Sequence, residues 1–231
     1  MDLCEVATLN HSDDFIFGIA LGQLVRNDVD FHCGILYKTQ DKIHFIDFCK
    51  DRLQTRSIEE LGEMGFIFAK YNTEAILEDQ ALQVPVVCER MLEKKQSFSF
   101  AIGYNKTHFD NDGFVVFLNG DFGFTCSTFV LAAMKTALGV ELIELENWEV
   151  SEESVHMHTK MFEFFKEQVQ MNPNKYSEDF LSNFQKRIPD FRYSPEEVSV
   201  AITSPTIPSD FEFCKTNAPI ICEAVYMGLN K

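Results

Sequence analysis

Cys126 is the residue whose type and position best suit covalent chemistry. It stands in the stretch G-D-F-G-F-T-C-S-T-F-V, after a Gly-rich loop and at the start of a segment with a helical pattern that Gly139 ends. The unpaired N–H groups and the positive dipole end at a helix start lower the pKa of a thiol. We predict a reactive nucleophile whose backbone N–H binds an oxyanion. An ordinary buried thiol is the alternative that position alone leaves open.

Two histidines lie on a predicted β-hairpin that could supply the base for this thiol. Residues 31–37 and 43–49 are rich in aromatic and β-branched side chains, and a polar segment of about five residues joins them. His32 and His44 are 12 positions apart. A pairing register with an even sum therefore places both imidazoles on one face of the sheet. We predict His32 as general base and His44 as the residue that orients it.

The same alternation assigns roles to the neighbours of the two histidines. Asp47 has the opposite parity to His44, so it would replace His44 as the orienting residue only if a bulge intervened. Cys33 is expected to point to the opposite face from His32, into the core. A zinc site built from His32, Cys33, His44 and Cys49 suits the residue types, but alternation divides these side chains between two faces.

Three short motifs resemble those of one enzyme group. His32-Cys33-Gly34-Ile35-Leu36-Tyr37, followed by His44, resembles the H-x-G-I-x-[YF] hairpin of the circularly permuted NlpC-type papain-like enzymes, which include the lecithin:retinol acyltransferase-like proteins. C-S-T-F-V at Cys126 resembles their C-S-[ET]-[LF]-[VI] nucleophile motif, and S-D-D-F-I-F from Ser12 resembles the preceding strand, with its usual Gly replaced. The histidines precede the cysteine, as in the permuted form. The resemblance implies a triad of Cys126, His32 and His44.

The fold expected from this resemblance is an α+β, papain-like domain, with a central antiparallel sheet and a nucleophile-bearing helix. We predict a single domain over residues 1–231. Its core covers about 12–140, with a helical insert over about 55–95 and a helical C-terminal extension over about 150–231. The resemblance covers the core and hardly reaches the extension.

Local patterns predict further elements along the chain. Strands are expected over 15–18, 98–104 and 114–118, and helices over 74–93, 151–171 and 176–187. Ser57 and Ser194 are predicted N-caps, Pro85 should divide the helix over 74–93, and Ser151 should cap the helix that follows it. The tail from Ser204 contains prolines and is expected to be irregular.

The composition limits which binding partners and which cellular compartment we expect. The formal net charge of -16 repels phosphates, so we predict no nucleic-acid partner. No apolar stretch is long enough for a transmembrane segment. Seven cysteines without a C-x-x-C pair are typical of a reducing compartment. The N-terminal residues do not resemble a Sec-type signal peptide, so the predicted location is cytoplasmic, or outside the cell by another export route.

No cofactor or metal is predicted. The sequence contains neither phosphate-loop motif, and the H-x-H of His156 and His158 on a helix is expected to be solvated surface. The function predicted first is a thiol-dependent hydrolase that acts through an acyl-enzyme on amide, peptide-like bonds. A lipid acyltransferase or thioesterase, which the 23 Phe residues permit, and a catalytically inactive binding module remain as alternatives.

Overall fold

The computed structural model describes residues 2–24, 30–40, 42–49, 51–118, 123–148, 150, 152–172, 176–189 and 193–229. The fold is α+β. Its strands are β1 Leu3–Glu5, β2 Phe17–Gly22, β3 His32–Lys38, β4 Ile43–Cys49, β5 Arg52–Arg56, β6 Ile67–Lys70, β7 Ser99–Phe100, β8 His108–Phe109, β9 Val115–Val116 and β10 Gly123–Phe124. Its α-helices are α1 Ile58–Glu63, α2 Glu78–Ala81, α3 Gln83–Lys94, α4 Cys126–Leu138, α5 Glu152–Met171, α6 Glu178–Arg187, α7 Pro195–Ala201 and α8 Phe211–Leu229.

A six-stranded sheet in the order β1-β6-β2-β3-β4-β5 is the centre of the fold, and all its strand pairs are antiparallel. Alternating apolar side chains give it two buried faces. The larger core lies on the face that carries Cys33, Ile35 and Phe48, and residues of α3, α4, α7 and α8 fill it. The smaller core lies on the other face and includes Phe45 and Leu61 of α1.

The predicted hairpin is confirmed as β3 and β4, but its predicted register is wrong. Tyr37 pairs with His44 and Gly34 pairs with Asp47, so each partner pair sums to an odd number. The ladder is continuous from Gly34 to Lys38 and contains no bulge. Because directly paired residues point to the same face, Asp47 shares the face of Gly34 and of His32, whereas His44 lies on the other face.

The helix predicted after Cys126 is confirmed as α4. Thr125 is its N-cap, and its hydroxyl accepts a hydrogen bond from the Thr128 N–H, while the Thr128 hydroxyl accepts one from the Thr125 N–H in return. Gly139 ends the helix with φ of 74°, in the left-handed region that favours glycine. Both ends of α4 are therefore specified by local residues.

Other element predictions meet mixed outcomes. Helices α5 and α6 confirm those predicted over 151–171 and 176–187, although the cap at Ser151 lies outside the described residues. The Ser57 and Ser194 caps are confirmed by bonds from the N–H groups of Glu60 and Glu197. The helix over 74–93 is divided at Leu82, so α3 begins just before Pro85.

Several boundaries were wrong. Strand β2 begins later and runs further than the predicted 15–18, since its apolar residues are buried on both faces of the sheet. The strands over 98–104 and 114–118 shorten to β7 and β9. The tail predicted as irregular forms α8, which carries Pro219 inside it and packs on the larger core. No helix among the described residues has the length and apolar character needed to cross a membrane.

Candidate active site

The thiol of Cys126 lies at the start of α4, where the sequence predicted it. Cys126 is half-buried and lines a cavity of about 250 Å³. Cys126 is the first residue of α4, and the N–H groups in the first turn of a helix have no acceptor within the helix, so they form its positive dipole end. The thiol thus combines access from the cavity with an electropositive start of a helix.

His32 is the imidazole that the fold brings to this thiol. It is the first residue of β3 and is nearly fully buried beside the N-terminus of α4. Its charge and hydrogen bonding act directly on Cys126, and those of Cys126 act on His32. The predicted pairing of Cys126 with His32 is therefore present in the structure.

Asp47, and not His44, holds the His32 ring. The His32 Nε2 lies 2.8 Å from the Asp47 Oδ2, across the diagonal of the β3–β4 pair. Asp47 is fully buried. Since Nε2 is engaged by the carboxylate, Nδ1 is the ring nitrogen that remains for the thiol. Nε2 is the donor in this bond, because a carboxylate can only accept.

Arg56 and Glu60 extend the chain of charges behind Asp47. The Arg56 Nε donates to the Asp47 Oδ2 at 3.2 Å, and its Nη1 donates to the Glu60 Oε1 at 3.1 Å. The Asp47 Oδ1 is buried and has no hydrogen-bond partner among the described residues. A buried acceptor left unpaired costs free energy, so this carboxylate is placed for His32 and Arg56 at some expense to stability.

The pKa shifts of the pair favour a thiolate and an imidazolium. Hydrogen bonding to Cys33 and the positive charge of His32 hold the pKa of Cys126 well below its ordinary value, although burial opposes them. Burial alone would lower the pKa of His32, but the negative charge of Cys126 and hydrogen bonds to Asp47 and Cys126 raise it to about 10. At a pH between the pKa of Cys126 and the pKa of His32, Cys126 carries a negative charge and His32 a positive one.

Cys33 was expected in the core, and it is fully buried there. Its thiol nevertheless interacts with the Cys126 thiol through hydrogen bonding and charge, where β3 packs against α4. Burial and contact with the Cys126 charge raise the pKa of Cys33 well above its ordinary value. Cys33 therefore keeps its proton and donates a hydrogen bond to the thiolate.

The prediction of His44 as the third member of the triad is not met by the structure. His44 lies 29% exposed near the turn of the hairpin, with its ring stacked on Tyr37 at 5.1 Å between centroids. Its Nε2 lies 3.0 Å from the Thr39 Oγ1, and its Nδ1 lies 3.9 Å from the Glu89 Oε1. The one-residue difference in register moves it to the face that His32 does not share.

The cavity beside the thiol is mainly apolar. Aromatic and aliphatic side chains form most of its wall, and polar groups concentrate around Cys126. It is lined by Asp30, Phe31, His32, Phe48, Cys49, Phe100, Ile102, Gly103, Thr125, Cys126, Ser127, Thr128, His158, Met161, Tyr193 and Pro195. Several elements meet here, including α5 and the start of α7, so the C-terminal extension contributes part of the wall. Such a cavity suits a ligand with an apolar group.

His158 corrects the prediction made for the H-x-H pair. His156 is exposed as expected, but His158 is buried at 1% exposure and lines the cavity. Its Nδ1 donates to the Ile188 carbonyl at 3.0 Å. Because i and i+2 of a helix point to different faces, one histidine of the pair faces solvent and the other faces inward.

Sequence reasoning gave Asp47 only as the alternative to His44, and it missed Arg56 and His158. Strand alternation assigns Asp47 and Arg56 to the right face of the sheet once the register is known. His158 had no local signal, since its burial depends on packing between α5 and the segment before α7. The four residues weighed as a zinc site are also separated, because His44 lies at the far end of the hairpin. Within the described ranges, no cluster of three His, Cys, Asp or Glu side chains is placed to hold a metal ion.

Comparisons with protein-family models, with curated proteins and with solved structures found no match for this chain.

Proposed function

We propose that this chain is a thiol-dependent hydrolase that acts through an acyl-enzyme, with Cys126 as nucleophile, His32 as acid–base and Asp47 as the orienting residue. The observation that carries the proposal is the position of His32. Its imidazole bridges a thiol at a helix start and a fully buried carboxylate 2.8 Å away. A nucleophile, a base and a group that orients the base are the recurring parts of covalent acyl transfer.

The proposed reaction begins from the charged pair. The Cys126 thiolate attacks the substrate carbonyl, and the backbone N–H of Cys126 at the start of α4 stabilises the negative charge that develops on oxygen. The imidazolium of His32 gives its proton to the leaving group as the carbonyl–leaving group bond breaks. Neutral His32 then takes a proton from water, which attacks the acyl-enzyme and releases the acid. Asp47 keeps the ring in place throughout and balances its positive charge.

The first proposed substrate class is an amide with a peptide-like bond. Protonation of a poor amine leaving group requires an acid, and the raised pKa of His32, about 10, keeps it protonated at neutral pH. The permuted papain-like architecture belongs to the same proposal. It is supported by the antiparallel sheet with the nucleophile helix packed against it and by the order of the two motifs along the chain.

An apolar acyl ester or thioester is the second candidate. The wall of the cavity favours it, since Phe31, Phe48, Phe100, Ile102 and Met161 surround the thiol with apolar surface. An acyltransferase and a thioesterase would share the acyl-enzyme and differ in what resolves it. The seven free thiols suit a reducing compartment, so a cytoplasmic site, or export without a Sec-type signal, remains our proposal for the location.

The test is turnover of a substrate panel, with trapping of the acyl-enzyme by mass spectrometry. Peptide amides and acyl thioesters of increasing chain length are compared for the wild type, Cys126→Ala and Cys222→Ala, a half-buried thiol outside the cavity. We expect Cys126→Ala to lose about a thousandfold or more in rate and to form no acyl adduct, while Cys222→Ala is unaffected. Turnover that persists in Cys126→Ala contradicts the proposal, and binding without turnover supports a binding module.

A further inference from the structure

Two cysteines of the site adjoin each other, and the proposed hydrolysis uses only one of them. Cys126 lines the cavity, whereas Cys33 lies behind it, fully buried between β3 and α4. Both belong to one packed cluster, with Cys126 at its edge. The thiol of Cys33 is within hydrogen-bonding contact of the Cys126 sulfur. A thiolate that is reached from a cavity and has a second thiol directly behind it is the arrangement of peroxide-sensitive cysteine pairs.

We propose that Cys126 and Cys33 form a reversible disulfide when a hydroperoxide enters the cavity, so that Cys126 is an oxidative modification site and Cys33 its resolving thiol. The proposal rests on the proposed function in one respect, namely that Cys126 is a thiolate at neutral pH. It adds a reaction that hydrolysis does not require and a role for Cys33 that hydrolysis leaves unused.

The first step oxidises Cys126. The thiolate attacks one peroxide oxygen, the O–O bond breaks, and the departing hydroxide takes a proton from the His32 imidazolium to leave as water. Cys126 becomes a sulfenic acid, and the peroxide supplies the two-electron oxidation. The cavity of about 250 Å³ has ample room for hydrogen peroxide next to the sulfur.

The second step closes the disulfide. The Cys33 sulfur attacks the Cys126 sulfur, the S–O bond breaks, and the departing hydroxide takes the Cys33 proton and leaves as water. The charge of Cys126 is one cause that raises the pKa of Cys33, and the sulfenic acid no longer carries it. Oxidation of Cys126 thus makes Cys33 easier to ionise at the moment when its thiolate is needed.

Cys49 is the matched control, because it is the other thiol that lines the cavity. Its side chain lies on β4, and it is half-buried rather than buried behind Cys126. If nearness to the cavity decided the partner, Cys49 would link to Cys126. If the contact between β3 and α4 decides it, Cys33 is the partner.

The experiment treats the full chain with a small excess of hydrogen peroxide near neutral pH and maps the cysteines by non-reducing mass spectrometry. We expect a Cys33–Cys126 linked peptide in the wild type and in Cys49→Ser, which a dithiol reductant reverses. Cys33→Ser is expected to react with dimedone at Cys126 and then to accumulate the sulfinic acid, since nothing resolves the sulfenic acid.

Three outcomes would overturn the proposal. They are a Cys49–Cys126 link, a dimedone adduct at Cys126 in the wild type without any disulfide, and a Cys126 that peroxide leaves unchanged. The first two outcomes leave the proposed function intact, because Cys126 still reacts as a thiolate. In the third, slow alkylation of Cys126 at neutral pH shows that the proposed function fails as well. The wild-type map alone is decisive if Cys33→Ser does not fold.

Discussion

The two ends of the β3–β4 hairpin each hold an imidazole, a carboxylate and a cysteine, yet they differ in chemistry. At one end, His32 lies 2.8 Å from Asp47 and acts on Cys126. At the turn end, His44 lies 3.9 Å from Glu89, next to the buried Cys88. The presence of these three residue types is therefore not enough to make a candidate active site.

Burial and the sign of the nearest charge separate the two ends. The carboxylate of Asp47 is fully buried, whereas that of Glu89 is 46% exposed and accepts a hydrogen bond from the Tyr37 hydroxyl at 2.6 Å. Hydrogen bonding to Cys33 and the positive charge of His32 lower the pKa of Cys126, while burial and the negative charge of Glu89 raise the pKa of Cys88. A thiol becomes a nucleophile where a positive partner outweighs the cost of burial.

Replacing each histidine with alanine should give the largest difference between the two ends of the hairpin. We expect His32→Ala to slow the alkylation of Cys126 by iodoacetamide at pH ~6.5 by roughly 10- to 100-fold, since a thiol with a pKa near ~8.5 is only about 1% ionised there. His44→Ala should change the rate by less than about twofold. The measurement is the second-order alkylation rate, assigned to Cys126 by peptide mapping. Equal losses in the two variants would contradict the assigned roles.

Neutralising each carboxylate should have a smaller effect on reactivity and an unequal effect on stability. Asp47→Asn removes the buried partner of both His32 and Arg56, and we expect it to cost about 3 kcal/mol of unfolding free energy. Glu89→Gln changes an exposed pair and should cost less than about 1 kcal/mol. Urea unfolding followed by circular dichroism measures both. Similar unfolding midpoints for the two variants would mean that Asp47 is not a buried ionic partner.

The local parts of the site were predictable from the sequence. The start of α4 at Cys126 and its end at Gly139 follow from capping residues, and the two strands of the hairpin follow from their apolar pattern. These signals lie within a few residues of the elements that they specify. The roles proposed for Cys126 and His32 came from these signals together with the resemblance of their motifs.

The orienting role proposed for Asp47 could not be predicted in the same way. Choosing between His44 and Asp47 depends on whether the hairpin register has an even or an odd sum, and a shift of one residue exchanges the two faces. The turn residues do not determine that register. His158 and α8 depend on packing between distant segments, so their burial and helical state have no local signal.

The most direct test of the account is the ionisation of the Cys126 thiol, measured as the ultraviolet absorbance of thiolate in the wild type minus that in Cys126→Ala. A lowered pKa means that thiolate persists as the pH falls through neutrality and disappears only in acid. The account predicts that the difference signal is fully present at pH ~7 and stays constant up to the pKa of His32, about 10. A difference signal that rises with a midpoint near ~8.5, as for a free thiol, would contradict it.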